Sequence, residues 1–253
     1  PPEECVDFAA KLKAAGIGPA EIARREQRWV AIEEARHRLE QRQRQAELER
    51  GRDPDEPPRG GRYKRAFGVP EDKAQDNFTD PDSRIMKRAG GGFDASYNAQ
   101  TAVDEQAHII VAAELTNSAS DAGELPTMLQ AVQDNLGELP EQVLADTGYK
   151  AEAVFEALAR SGCELIVAVG REGKDPLRFD PERSPHTAAM AAKLQTAPGK
   201  AAYRRRKWIA EPPNGWIKNV LGFRQFSLRG LHRVRAEWKL VCMALNLRRM
   251  AVM

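Results

Sequence analysis

The sequence predicts a mixed α/β domain that follows a helical N-terminal arm. Three observations support this class. Residues 24–50 are dense in Arg, Glu and Gln, with a few apolar side chains at roughly helical spacing. After a Pro- and Gly-rich stretch at 51–62, short apolar or alternating segments are interspersed with amphipathic ones, which is the pattern of strands and helices. The last of these segments, residues 232–253, is predicted to be a strongly amphipathic helix.

The N-terminal 50 residues are expected to form two helices, separated by a break at residues 16–19. We interpret the second helix as a solvated or coiled-coil-like arm, and a DNA-contacting arm, the remnant of a DNA-binding region, is the alternative. The predicted organisation is an arm at 1–50, a linker at 51–62 and a main domain at 63–253, with a loop insertion at 170–200 around one small helix.

The main domain begins with three predicted strands. The first ends at Asp80, because Pro81 interrupts it, and Ile85-Met86 can continue it beyond that break. The second covers 97–103, where residues alternate in polarity, and the third covers 108–115. Short connections make these strands an antiparallel meander. A helix capped by Ser120 or Asp121 follows.

Two apolar segments, 142–145 and 165–169, then read as buried parallel strands on either side of a helix at 151–161. The order is a three-strand antiparallel meander, a helix, a strand, a helix and a strand. It is the order of an RNase H-like domain, whose mixed sheet is flanked by helices.

Such folds carry one carboxylate on the first strand, one at the end of the fourth and one on a late helix. Asp80, Asp146 and Glu211 occupy these three positions. Carboxylates of this kind hold two Mg²⁺ ions about 4 Å apart, and the ions activate one oxygen and stabilise another at a phosphodiester. Mg²⁺ prefers few carboxylates with water and phosphate, and we expect that Mn²⁺ can substitute for it.

Three other acids compete for these roles. If Asp104 were the first ligand, only one strand would separate it from the first helix, whereas the fold requires two. Asp80 is therefore preferred, with Asp82 beside it as the alternative. Asp104 is interpreted as a hairpin-turn acid and Asp121 as a helix cap.

A basic segment surrounds Glu211. Four consecutive cations precede it, Lys218 lies seven residues beyond it, and residues 203–239 contain ten Lys and Arg against only Glu211 and Glu237. Cations at this density bind phosphates, so duplex DNA is the predicted partner, and a solvated basic face is the alternative. The side chains predicted to contact DNA are Tyr203, Arg204, Arg205, Arg206, Lys207, Lys218, Arg224 and Arg229.

The remaining composition excludes other classes. No apolar run approaches about 18 residues, so no membrane segment is expected. The three cysteines are far apart and in no zinc-binding spacing, which predicts a reducing cytoplasm and, with DNA as the partner, association with the nucleoid.

Several motifs occur in a fixed order, which is more specific than any one of them. They are residues 79–84, 97–104 and 144–149, then Tyr203, Arg206, Glu211 and Lys218, then 222–224, 228–231, 237–238 and 246–247. Together they resemble the bacterial insertion-sequence transposases of the DDE class that carry a Tyr-Arg-Glu-Lys box. The resemblance covers about residues 75–250.

The resemblance implies an RNase H-like catalytic domain, Mg²⁺, cleavage at the element ends and 3′-hydroxyl strand transfer into target DNA. It implies that Asp80, Asp146 and Glu211 bind the metal, and that Tyr203, Arg206 and Lys218 contact phosphates. A homodimer on DNA is compatible with it.

Two departures from the family's pattern affect the box. Four residues separate Arg206 from Glu211 where three are usual, so either Arg206 or Lys207 can take that part. Pro213-Asn214 replace apolar and aromatic residues, which is expected to loosen the helix that carries Lys218. Because Pro212 disfavours helical angles at the preceding residue, Glu211 is expected at or just before a helix start.

These departures keep two rivals open. One is a degenerate, catalytically silent DNA-binding remnant of a transposase. The other is an RNase H-like nuclease, which would cut strands without joining them.

Overall fold

The structure is a computed structural model that describes residues 10–11, 14–16, 18–88, 90–170 and 179–253. Most of the first predicted helix and residues 171–178, near the start of the predicted insertion, lie outside these residues. The chain divides into two compact units, residues 1–95 and 96–253.

The first unit is built on one long helix, α1 (Pro19–Glu49), which confirms the second predicted helix. The chain then folds back onto the end of α1. Arg52 is 3% exposed and donates to Glu47 (2.9 Å) and to the Arg65 carbonyl (2.9 Å). Glu47 also accepts from the Gly68 amide (2.9 Å). Part of the Pro- and Gly-rich segment is thus anchored, while the domain boundaries drawn around it stay a prediction.

Earlier in α1, Arg38 and Arg42 both pair with Asp76, whose side chain is only 2% exposed. The arm is therefore partly covered by its own unit. Strands β1 (Arg84–Lys87) and β2 (Phe93–Ser96) follow and form a two-stranded sheet. The Arg88 amide donates to the Gly92 carbonyl (3.0 Å), so the three consecutive glycines at 90–92 lie in the hairpin connection between these strands.

The second unit contains the remaining strands and helices. In chain order they are β3 (Asn98–Val103), β4 (Ile110–Thr116), α2 (Leu125–Leu136), β5 (Gln142–Ala145), α3 (Glu152–Leu158), β6 (Glu164–Val167), α4 (Pro185–Gln195), α5 (Ala197–Asn219) and α6 (Leu231–Met250). Most of these elements lie where the sequence pattern predicts them.

Most of the buried apolar side chains described in this unit belong to two clusters, and a smaller third cluster joins β4 to the first helix after it. One surrounds the parallel pair β5–β6, in which Ala145 lies opposite Val167, and Val167 is fully buried. The other lies between the antiparallel hairpin β3–β4 and α6, which buries Val234, Trp238 and Leu245. The amphipathic face predicted for the last helix is confirmed.

Side chains from the helices cover part of strand β4. The Asn246 amide donates to the Ile110 carbonyl (2.8 Å) and its oxygen accepts from the Ile110 amide (2.9 Å). Asn135 donates to the Val111 carbonyl (2.8 Å) and Arg235 to the Leu115 carbonyl (3.1 Å).

The class, mixed α/β with an N-terminal helix, is confirmed. Within the described residues, however, the strands form three two-stranded sheets, β1–β2, β3–β4 and β5–β6, and the single mixed sheet of the prediction is not seen there. No helix in the described part of the chain is long and apolar enough to cross a membrane.

Two local predictions are wrong. The first strand does not end at Asp80: the Asn77 side chain accepts from the Thr79 (2.9 Å) and Asp80 (3.2 Å) amides and forms a turn instead, and β1 begins at Arg84. Neither Ser120 nor Asp121 caps α2, because the helix begins at Leu125 with Glu124 at the cap position.

Candidate active site

Asp146 follows β5 directly, at the carboxyl end of a parallel strand, where the sequence places it. Its Oδ1 accepts from the Gly148 amide (2.9 Å) and caps the short 3-10 turn Thr147–Tyr149. Thr147 Oγ1 donates to the Gly170 carbonyl (2.9 Å), which ties this turn to the residues after β6. The end of a parallel strand is where ligand sites of open α/β sheets form.

A second carboxylate, Asp121, lies beside Asp146. A Cβ built on Gly148 would lie 2.5 Å from Asp121 Oδ2 and 3.0 Å from Asp146 Oδ1. The two side chains thus approach the same small space, which stays open only because residue 148 has no side chain. Asp121 Oδ1 accepts from Asn98 Nδ2 (2.6 Å) and Gln100 Nε2 (2.7 Å), so its orientation is fixed from β3.

Tyr149 completes this network. Its hydroxyl donates to Gln100 Oε1, and Gln100 is 3% exposed. Burial raises the pKa of Tyr149, and the neighbouring charges of Asp121, Asp146 and Glu124 raise it further. The phenol therefore remains protonated and donates to the Gln100 oxygen, which keeps the Gln100 NH₂ group directed toward Asp121.

Sequence reasoning missed the role of Asp121. The signal that could have found it is Pro126, which favours the first turn of a helix and so places the helix start near Leu125. Asp121 is too early to be the cap of such a helix. Asn98 and Gln100, two residues apart on one face of β3, were the second available signal.

Glu211 lies in the interior of α5, so the expectation of a helix start at this residue is wrong. The helix continues from Ala197 to Asn219 through Pro212 and Pro213. Packing overrides the restriction that proline imposes: Pro213 is fully buried, with Ile209 and Ile217 one turn away on either side. Asn214 Nδ2 donates to the Ala210 carbonyl (3.0 Å).

The opposite face of α5 is exposed and charged. Arg204, Lys207, Glu211 and Lys218 are all exposed, and their spacing of three, four and seven residues puts them on one side of the helix. We call this set the α5 stripe. Lys207, one turn before Glu211, shares the stripe with it.

Two of the four consecutive cations lie elsewhere. Arg205 donates to both Glu105 oxygens (2.7 and 2.8 Å) and to Gln142 (2.6 Å). Arg206 is partly buried, with its guanidinium 5.5 Å from the centre of the Tyr203 ring. The basic run therefore divides between the α5 stripe and two arginines whose side chains contact other residues of the second unit.

The other predicted DNA contacts lie on the connection between α5 and α6. Arg224 and Arg229 are both exposed, and Arg224 donates to Asn219 (2.8 Å). Asp80 belongs to the first unit and lies in the turn before β1. Asp104 Oδ2 accepts from the Ala107 amide (2.6 Å), which is the hairpin-turn role predicted for it.

Among the described residues, no three His, Cys, Asp or Glu side chains are gathered closely enough to hold a metal ion. What the second unit brings together is the pair Asp121 and Asp146. Carboxylate oxygens are the donors that Mg²⁺ prefers, and Mg²⁺ commonly takes only one or two of them from the protein. The chemistry of this pair therefore fits a hard divalent cation.

Comparison with known proteins gives one family. A family model described as a transposase DDE domain matches residues 67–247, well over half of the chain. Neither the curated proteins nor the solved structures contain a significant match. The family match confirms the resemblance to insertion-sequence transposases, whereas the Tyr-Arg-Glu-Lys box stays a prediction. The chain belongs to the DDE transposase family.

Proposed function

We propose that this chain is a DNA transposase that cleaves strands at element ends and joins the freed 3′-hydroxyl to target DNA. The observation that supports it most is the pair of neighbouring carboxylates, Asp146 and Asp121, at the carboxyl end of β5. Each accepts hydrogen bonds from other groups of the chain, and the chain belongs to the DDE family. An RNase H-like arrangement of the strands, expected for this family, belongs to the same proposal.

Asp146 and Glu211 are the proposed metal ligands of the second unit, with Asp121 supporting Asp146, and the metal-binding role of Asp80, in the first unit, stays a prediction from the sequence. A divalent metal ion, Mg²⁺ or Mn²⁺, would supply activation of the attacking oxygen and stabilisation of the leaving oxygen. The chain's own part is to hold its carboxylates in fixed positions. The Gly148 amide orients Asp146, while Asn98 and Gln100 orient Asp121.

The α5 stripe is the proposed contact surface for the DNA backbone near Glu211. Arg204, Lys207 and Lys218 supply charge there, with Lys207 taking the cationic position before Glu211. Arg205, also predicted to contact DNA, would have to leave its bonds to Glu105 and Gln142 to do so. Arg224 and Arg229 extend the basic surface along the following connection.

The test is a reaction on a plasmid that carries the DNA flanking the coding region, with Mg²⁺ and a second plasmid as target. The wild-type protein is expected to cut at the element ends and to join those ends to the target. Asp146→Asn is expected to abolish both reactions while DNA binding persists. Cleavage without any joined product would favour the nuclease, and binding without cleavage would favour the silent remnant.

A further inference from the structure

Two hydrogen bonds of α5 cannot form within the helix, because neither Pro212 nor Pro213 has an N–H, and the one lost by Trp208 is replaced from outside. The carbonyl of residue i normally accepts from the amide of residue i+4, and the residue four beyond Trp208 is Pro212, which has no N–H. The Trp208 carbonyl is bonded instead from outside the helix: His108 Nε2 lies 2.9 Å from it. Because a carbonyl only accepts, Nε2 must carry the proton.

His108 also packs on both sides of this gap. Its ring centre is 4.9 Å from that of Trp208, one turn before Pro212, and 5.9 Å from that of Trp216, one turn after it. The three α5 residues follow one another at intervals of four, so they share a face of the helix. One imidazole therefore bridges the two helical segments that Pro212 separates.

The backbone at His108 is unusual. Its φ is +56°, the one positive φ among the described residues other than glycine. Such a conformation is uncommon outside glycine and is kept where the surroundings enforce it. It occurs in the β3–β4 turn, where Asp104 accepts from the Ala107 amide (2.6 Å).

The α6 helix secures the same turn. Arg249 donates to the Ala107 carbonyl (2.9 Å) and its guanidinium lies 4.6 Å from the centre of the Trp216 ring. The turn is thus held by α6 as well as by its own hydrogen bonds, and His108 projects from it onto α5.

We propose that His108 is a positioning residue for the α5 stripe. By replacing the hydrogen bond that Pro212 removes, it sets the angle between the segment that carries Glu211 and the segment that carries Lys218. The inference rests on the proposed function for its catalytic consequence, since Glu211 must stand at a fixed place relative to the strand-end carboxylates. Its structural part stands without that function.

The test is a double-mutant cycle between His108→Ala and Pro212→Ala. Pro212→Ala restores an N–H to the helix, so the Trp208 carbonyl regains an internal donor and no longer needs His108. With Pro212 present, His108→Ala is expected to lower the rate of strand cleavage at saturating DNA about fivefold to tenfold, with the KM for DNA unchanged. In the Pro212→Ala background the same substitution is expected to lower that rate less than about twofold.

Amide hydrogen exchange provides a readout that needs no activity. His108→Ala is expected to speed exchange in residues 214–219 of α5, and the Pro212→Ala background is expected to suppress that change. His108→Gln, which keeps a side-chain N–H, is the conservative variant and is expected to recover part of the protection. In wild type, the imidazole ¹⁵N shifts should report the Nε2–H tautomer.

Equal effects of His108→Ala in both backgrounds, on cleavage and on exchange, would overturn the proposal. Absence of cleavage by the wild-type protein would overturn the proposed function alone, and the exchange measurement would then still decide the role of His108.

Discussion

Asp146 and Glu211, the two proposed metal ligands of the second unit, lie in opposite surroundings. Asp146 accepts from a backbone amide and lies beside Asp121, which two amide side chains hold in place. Glu211 lies on an exposed helix face among cations. Catalytic groups work best when neighbouring groups fix their orientation. The strand-end half of the proposed site is therefore organised by the fold, whereas the position of its helix half depends on the path of α5.

Removal of the charge of Glu211 tests whether this exposed acid is catalytic. Glu211→Gln is expected to slow strand cleavage about a thousandfold, or about 4 kcal/mol, because a lost metal ligand acts on the reacting centre. DNA affinity should change little. Arg204→Gln, on the same face, is the matched control and should weaken DNA binding without lowering the rate at saturating DNA.

Calorimetric titration of Mn²⁺ in the presence of DNA would count the ions. If the wild type and Glu211→Gln bind the same number with the same affinity, Glu211 is a surface acid within a basic patch. The silent remnant would then be the better account of this chain.

Asp121 is the carboxylate proposed to support Asp146 in the strand-end half of the site. Asp121→Asn is expected to slow cleavage about a hundredfold, the upper range for a residue that supports a metal ligand. Asp134→Asn, an exposed acid on α2, should leave the rate unchanged. Equal rates for wild type and Asp121→Asn would show that the strand-end pair has no joint role.

One glycine in each half of the site can be replaced by alanine, and the two substitutions are expected to change the free energy of unfolding in opposite directions. In Gly148→Ala the new Cβ would lie 2.5 Å from Asp121 Oδ2, so the protein should lose about 1–3 kcal/mol of unfolding free energy. Gly215, in α5, has no atom within 4 Å of such a Cβ, and Gly215→Ala should add about 0.5–1 kcal/mol. Chemical denaturation of both variants measures the difference, and a shared sign would contradict the contrast.

The smallest effect concerns salt. Each phosphate contact adds about 0.9 to the slope of log K against log salt on duplex DNA. Lys207→Gln should lower the magnitude of that slope by about 0.9, the value for one phosphate contact. Arg205→Gln should leave the slope nearly unchanged, because Arg205 is bonded to Glu105 and Gln142. Equal losses of slope would show that Arg205 leaves its partners to bind DNA.

Sequence periodicity located most elements of the second unit because each has an apolar face that fits one period. The segment 142–145 is a strand as predicted, and Asp146 follows it. At residues 77–80 the strand prediction failed because the Asn77 side chain accepts hydrogen bonds from two backbone amides and forms a turn. Hydrophobic periodicity does not show where a side chain will bond the backbone in place of a neighbouring strand.

The expected helix start at Glu211 was another failure, and its cause is the packing of residues far apart in the sequence. The restriction before proline is a local preference, and burial of Pro213 between Ile209 and Ile217 outweighs it. Likewise, the orientation of Arg205 away from the stripe depends on Glu105, about a hundred residues away along the chain. Charge density in a sequence predicts a basic region but not which of its members face solvent.

The bonding of Asn246 to Ile110 has a consequence for self-association. Its amide accepts from and donates to one residue of β4, as the peptide group of a neighbouring strand would. With Asn135 and Arg235 bound to two further carbonyls, part of the backbone of this strand is already bonded by side chains. An exposed strand edge invites pairing with a strand of another molecule and thereby aggregation. At these positions an incoming strand would have to displace existing bonds, so the helices that build the core also protect the sheet from fibril-like growth.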